Sequence, residues 1–309
     1  MDEKPKRRAK LTGATSRGNK TVATIQPAPA EAASPVKPVT ASQLVANKVE
    51  IGFLSNVGSV RTNNEDSFSA FTASVPRLNN DGPELVFSFL AIADGMGGHE
   101  NGEIASNMAV RKISEGVLRD FYLPSIEGRQ PGRDGESPIE TLTFLMDNAN
   151  LSILQESQRN RTSMGTTLTC AVLIGQTAII GHVGDSRIYV LEKSSKKLRQ
   201  VSHDHSVVQR LVEMGALSAE EAQYSPQRSV LYMTVGQKPQ IEPDVEVVSL
   251  VDASAMLLCS DGLWELVDDQ VIEEALNKAG SAAQACEKLV NAAIEAGGVD
   301  NVTVVIAKF

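Results

Sequence analysis

Apolar and polar positions alternate along this chain in three patterns, and each predicts a different element. Residues 84–93 form an almost unbroken apolar run leading into Asp94, the mark of a strand buried on both faces. Residues 166–174 and 177–183 are β-branched apolar runs split by Gly175 and Gln176, which predicts a hairpin. Runs at 49–53, 66–71, 187–191, 245–250, 255–260 and 302–307 read as further strands. Leu142, Leu145, Met146, Ala149 and Ile153 fall at i, i+3, i+4, i+7 and i+11, one apolar helical stripe. Residues 101–120 and 204–214 also read as helices, and Cys286, Leu289, Val290 and Ala293 give a helical face near the end. Pro124, Gly128, Pro131, Gly132 and Gly135 predict an irregular surface insertion over 124–137. Residues 215–240 carry Gly215, Pro226, Gly236 and Pro239 and read as a mobile, flap-like segment. Hairpin-linked strands with helices in pairs between them predict antiparallel sheets covered by helices. The expected fold is α+β: a four-layer αββα sandwich, two antiparallel β-sheets packed face to face and flanked by helix pairs.

Residues 1–46 break from this pattern. Pro27, Pro29, Pro35 and Pro38 oppose regular structure and few large apolar residues are present, so a disordered basic tail is expected there. A folded domain is expected over 47–309. The tail carries eight Lys/Arg against three Asp/Glu, net +5. Out of a total net charge of -9, the remainder is left with 21 basic and 35 acidic residues, net -14. So acidic a body argues against nucleic acid as a partner. No apolar run reaches the ~18 residues of a membrane span. Cys170, Cys259 and Cys286 form no C-x-x-C pair and sit in apolar stretches, so they read as buried thiols of a reducing compartment.

The candidate chemistry lies where strands end. Asp94, Asp185, Asp261 and Asp300 each sit at the edge of an apolar run, beside glycine or asparagine. Glu65 and Asp66 open another strand, close behind Arg61. One such carboxylate is a plain turn residue; several are harder to dismiss. Two unit charges ~4 Å apart repel by roughly 4 kcal/mol at an effective dielectric of ~20. A converging set would therefore need cations, and hard oxygen ligands favour Mg²⁺ or Mn²⁺. Glycine after Asp94 would let the Gly95 carbonyl join as a ligand. The spacing of Gly95, Gly97 and Gly102 matches neither G-x-G-x-x-G nor a P-loop. Spacing alone does not establish convergence.

The order and wording of these motifs resemble the metal-dependent protein phosphatases of the PPM family, type 2C, in their bacterial form. The resemblance covers about residues 49–309. It rests on R-x-x-N-E-D at 61–66, D-G-M-G-G-H at 94–99, Gly-Thr-Thr at 165–167, G-D-S-R at 184–187, D-H-S at 204–206, S-D-G-L-W at 260–264 and D-N at 300–301. It implies a protein serine/threonine phosphatase that hydrolyses phosphoserine and phosphothreonine with water activated by two Mn²⁺ or Mg²⁺ ions. Asp94 would bridge the ions, Asp261 and Asp300 would hold the first and the Gly95 carbonyl the second, which Glu65 would contact directly or through water. Asp66 would orient water, and Asp185 with Asp261 matches the place of a third ion. Arg61 would bind the substrate phosphate through its planar fork. Animal members place a histidine after the Asp-Gly pair, where this chain has Met96. The leaving-group proton would then come from water at the metals or, second, from His99. His182 reads as a core residue, and His203 and His205 as fixing the start of the next helix. Residues 207–240 match the family's flap, which would select among phosphoproteins. The resemblance further implies a cytoplasmic monomer opposed by a serine/threonine kinase. The alternative is a catalytically weak or inactive member that binds phosphoproteins as a regulator.

Overall fold

The computed structural model describes residues 48–75, 84–96 and 100–309; the expected tail lies outside them. In chain order the elements are β1 (Glu50–Asn56), β2 (Asp66–Val75), β3 (Leu85–Met96) and α1 (Glu100–Val117). A π-helical turn, Leu118–Tyr122, leads into α2 (Leu123–Ile126) and α3 (Pro138–Asn160). Then come β4 (Gly165–Thr166), β5 (Leu168–Ile174), β6 (Thr177–Val183), β7 (Arg187–Glu192) and β8 (Leu198–Gln200). α4 (Val207–Glu213) and α5 (Ala219–Gln223) precede β9 (Asp244–Ser249) and β10 (Ala253–Cys259). α6 (Asp261–Trp264), α7 (Asp269–Lys278), α8 (Ala282–Glu295) and β11 (Val302–Lys308) close the chain.

The strands form two antiparallel sheets, in the orders β1-β11-β10-β7-β8 and β2-β3-β5-β6-β9, with β4 paired to β3. Strand periodicity builds the layers. On β3, Leu90 and Ile92 face the opposing sheet, while Phe87, Phe89, Ala91 and Ala93 face the helices. On β10, Met256 and Leu258 join the same inter-sheet core, and Leu257 and Cys259 face outward to helices. Helices α1 and α3 cover one sheet through Ala109, Ile113, Leu142 and Met146. Helices α7 and α8 cover the other through Ile272, Leu276, Leu289 and Val290. The central strands are apolar on both faces because each sheet is sandwiched. Each such large side chain contributes ~1.5–3 kcal/mol by leaving water. The expected four layers are borne out.

Locally, Ile174 pairs with Thr177 across Gly175-Gln176, with Gly175 at φ 62°, which makes the expected hairpin. α3 starts from a capping box: Ser137 Oγ accepts from the Glu140 N–H, and Glu140 accepts from the Ser137 N–H. The helix expected over 204–214 begins only at Val207, because Ser206 is its cap, accepting from the Gln209 N–H. The helix expected over 101–120 gives way after Val117 to the π-helical turn, which carries the buried Phe121. All three cysteines are buried and free, as expected. No helix among the described residues is long and apolar enough to cross a membrane.

Candidate active site

Antiparallel pairing brings alternate strand starts and ends to one edge of the sandwich. In one sheet Asn56 ends β1 opposite Val302 at the start of β11, and Cys259 ends β10 opposite Arg187 at the start of β7. In the other, Asp66 at the start of β2 lies directly across from Asp94 near the end of β3. Asp94 shares the inter-sheet side of β3 with Leu90 and Ile92, so it continues the apolar core into a cleft of about 710 Å³. Arg61, Glu65, Asp94, Gly95, Asp185, Asp261 and Asp300 all line that cleft. Thus the strand-edge residues that sequence alone could not bring together do converge. His99 lies outside the described residues.

Main-chain, hydroxyl and amide contacts hold several residues of the cleft. The Asp94 N–H donates to Thr167 Oγ1 at 2.8 Å, and its carbonyl accepts from Thr166 Oγ1 at 2.8 Å and from the Thr167 N–H at 2.9 Å. Ser260 Oγ donates to Asp66 Oδ2 at 2.9 Å and accepts from the Thr303 N–H at 2.9 Å, joining the two sheets beneath the cleft. The Arg61 guanidinium meets Asp300 Oδ2 at 2.7 Å, which raises its pKa further. Asn301 accepts from the Glu65 N–H at 2.8 Å and donates to the carbonyls of Val57 and Asn63, each at 2.9 Å. That one amide holds the loop carrying Arg61 and Glu65 against the start of β11.

The electrostatics of the cleft are unfavourable. Burial, then the charges of Asp261, Asp66 and Asp185, push the Asp94 carboxyl well above the usual range. Burial, then Asp185 and Asp300, do the same to Asp261. Asp66 is pushed up to about 6, chiefly by burial, against hydrogen bonds from Thr303 and Ser260 that lower it. Asp185 is pushed up to about 7 by burial and then by Asp204. Like charges directly opposite on paired strands are destabilising, and Asp66 and Asp94 are such a pair.

These residues fit a divalent cation. Asp66 Oδ1 and Asp261 Oδ1 are buried without a hydrogen-bond partner, an expensive state unless something positive approaches them. Gly95 packs so tightly against the Gly102 and Glu65 carbonyls that no Cβ would fit, leaving its backbone open to the cleft. Among the described residues, no three acidic, histidine or cysteine groups already close around a common point as a metal cage. Part of the reason is visible, since Asp300 is turned onto Arg61.

Residues 55–302 match the family described as protein phosphatase 2C. The chain is 33% identical over 259 residues to the serine/threonine phosphatase stp of Listeria monocytogenes, covering 83% of this chain and 94% of that one. Its fold superposes on the crystal structure of the Mycobacterium tuberculosis serine/threonine phosphatase PstP/Ppp with a TM-score of 0.68 and 32% identity, over 84% of this chain and 98% of that one. A structure of the catalytic domain of PstP in complex with two manganese ions matches with a TM-score of 0.65 and 31% identity, over 84% and 97% of the two chains. This chain belongs to the protein phosphatase 2C family. The family is metal-dependent, which agrees with the acidic cleft.

Thr167, Ser260 and Asn301 fall within the motifs quoted from the sequence, but their part in holding the acids of this phosphatase 2C cleft shows only once the strands are paired. Thr303 escaped the sequence reading, because it is a small polar residue inside an apolar strand. Asp66, expected to orient water, is buried, with Oδ2 accepting from Ser260 Oγ and Oδ1 left without a partner. His182 is a core residue as expected, hydrogen-bonded through Nδ1 to Thr169 Oγ1 and pushed down to about 3 by burial. His205, expected to help fix the start of α4, stands directly before its cap Ser206. Its N–H donates to the Gly184 carbonyl, its Nδ1 accepts from the Gly184 N–H, and its carbonyl accepts from the Tyr232 N–H. It therefore joins the Asp185 loop to the segment 207–240. That segment also places Arg228, Leu231, Thr234 and Gln237 on the cleft wall.

Proposed function

We propose that this chain hydrolyses phosphoserine and phosphothreonine in proteins, and that Asp94, Asp261, Asp300, Glu65 and the Gly95 carbonyl hold two divalent cations, Mn²⁺ or Mg²⁺. The observation that carries this reading is the convergence of buried acids at one sheet edge with two orphaned carboxylate oxygens. Asp94 would contribute to holding both ions, and Asp185 with Asp261 would hold a third. Such ions lower the pKa of water toward neutrality and draw charge from the phosphoryl group.

The protein supplies the rest. Arg61 stands at the rim with its side chain about half exposed, paired to Asp300. With Asp300 among the residues that would hold a cation, the Arg61 guanidinium would take two oxygens of the substrate phosphate and offset their charge in the transition state. Asp66 and Ser260 brace the floor beneath Asp94, and Asn301 keeps Arg61 and Glu65 in register with Asp300. For the leaving oxygen, His99 is the proposed side-chain proton source, after water. No nucleophilic side chain is needed: Cys170 and Cys259 are buried, with their thiols pushed upward by burial. The segment 207–240 is the proposed selector of phosphoproteins, through Arg228 and its neighbours. A cytoplasmic setting opposite a serine/threonine kinase is part of the proposal, and the likeness to serine/threonine phosphatases supports it.

The test is phosphate release from a phosphothreonine peptide by the wild type and Asp94→Asn, with Mn²⁺ or EDTA. Turnover should require Mn²⁺ and fall by ~10³-fold or more in the variant. A folded wild type inactive with both Mn²⁺ and Mg²⁺ would sink the reading.

A further inference from the structure

Trp264 is the single tryptophan of the chain, and it is partly buried against the loop of Asp185, which lines the acidic cleft together with Asp261. It lies three residues after Asp261, in the one-turn helix α6. Its indole Nε1–H crosses to another loop and donates to the backbone carbonyl of Asp185 at 3.0 Å. The Arg187 guanidinium covers its ring, 3.6 Å from the ring centroid.

Arg187 is itself held on all sides. Its Nε donates to both Asp204 oxygens at 3.1 Å, and its Nη2 donates to Asp204 Oδ2 at 2.7 Å. Its Nη1 donates to the Tyr189 hydroxyl at 3.1 Å, and that hydroxyl donates to Asp269 at 3.1 Å. Gln200 donates a further hydrogen bond to the buried Asp204. The guanidinium plane is thus spent on Asp204 and Tyr189, and its face on the indole. A planar cation fixed in this way is a rigid lid over Trp264. The Asp185 loop is consequently tied to the helix of Asp261 through one N–H. Both carboxylates line the same cleft, and Asp185 is among the charges that raise Asp261.

We propose that Trp264 is a positioning residue: its N–H, steadied by Arg187, sets the Asp185 loop at the spacing from Asp261 at which both acids serve one divalent cation. The inference rests on the cation reading of the cleft. Groups that orient metal ligands typically change affinity by ~10–100-fold when removed. Trp264→Phe keeps the ring beneath Arg187 and deletes only the N–H.

Calorimetric titration with Mn²⁺ of the wild type, Trp264→Phe, Asp185→Asn and the double variant tests it. The expected result is ~10–100-fold weaker binding in Trp264→Phe, confined to the ion that Asp185→Asn removes, with no further loss in the double variant. Tryptophan emission of the wild type should change as that ion binds, and stay constant in Asp185→Asn. Wild-type affinity and stoichiometry in Trp264→Phe would overturn the proposal, as would an equal loss in both backgrounds, which marks general damage. If Trp264→Phe does not fold, Arg187→Lys, which keeps the charge and loses the flat face, must show the same non-additive loss with Asp185→Asn. A wild type that binds no Mn²⁺ would defeat the cation reading itself, a different result from a wild type that binds and a variant that binds equally.

Discussion

The middle of the inter-sheet space and its open edge are built on the same strands, yet they do opposite things to stability. Along β3, Leu90 and Ile92 bury against Met256 and Leu258, and two residues later the same face carries Asp94. Along β10, Leu258 is followed by Ser260 and Asp261. The middle contributes hydrophobic burial, while the edge gathers acids whose charges resist one another. A charge cluster of this kind persists only because the rest of the sandwich over-determines it. The destabilised edge is the proposed functional one, and the core around it holds the geometry.

Changes in the two regions should therefore separate stability from catalysis. Leu258→Ala leaves a cavity between the sheets, and chemical denaturation should show a loss of ~2–5 kcal/mol while turnover per folded molecule stays near wild type. Loss of turnover in the folded variant would mean that core and edge are not separable. Arg61→Ala should do the reverse. Its side chain is half exposed, so the denaturation midpoint should hardly move, while kcat/KM on a phosphothreonine peptide should fall by ~10²-fold. An unchanged kcat/KM would remove Arg61 from phosphate binding.

The middle was far more legible in the sequence than the edge. Near-continuous apolar runs identify β3, β5, β6, β10 and β11 because both faces of those strands are apolar, and a stripe at helical spacing identifies α3. Helix α7 escaped because only Ile272 and Leu276 mark its buried side, within an acidic stretch that begins at Asp268 and Asp269. At the edge, the carboxylates were visible as residue types at strand ends, and the order of motifs gave the family. Their convergence depends on pairings such as Asp66 with Asp94 and on contacts as distant in sequence as Asn301 with Glu65. No local pattern encodes those. The same holds for Trp264, which reaches Asp185 only once α6 and the β6–β7 loop are packed.

The most direct measurement is the melting temperature of the metal-stripped protein at pH 5 and pH 8, with and without added Mn²⁺. Asp66 and Asp185 are held at about 6 and about 7 in the fold, and Asp94 and Asp261 also lie above the ordinary carboxylate range. An unfolded aspartate titrates near ~3.9. Between these values the folded protein holds more protons than the unfolded chain, so its stability falls as pH rises. The stripped protein should melt on the order of 5–10 °C lower at pH 8 than at pH 5, and Mn²⁺ should restore more at pH 8, where the acids are ionised. A stripped protein that is no less stable at pH 8, or one that Mn²⁺ leaves unchanged there, would contradict the picture of a charged edge completed by divalent cations.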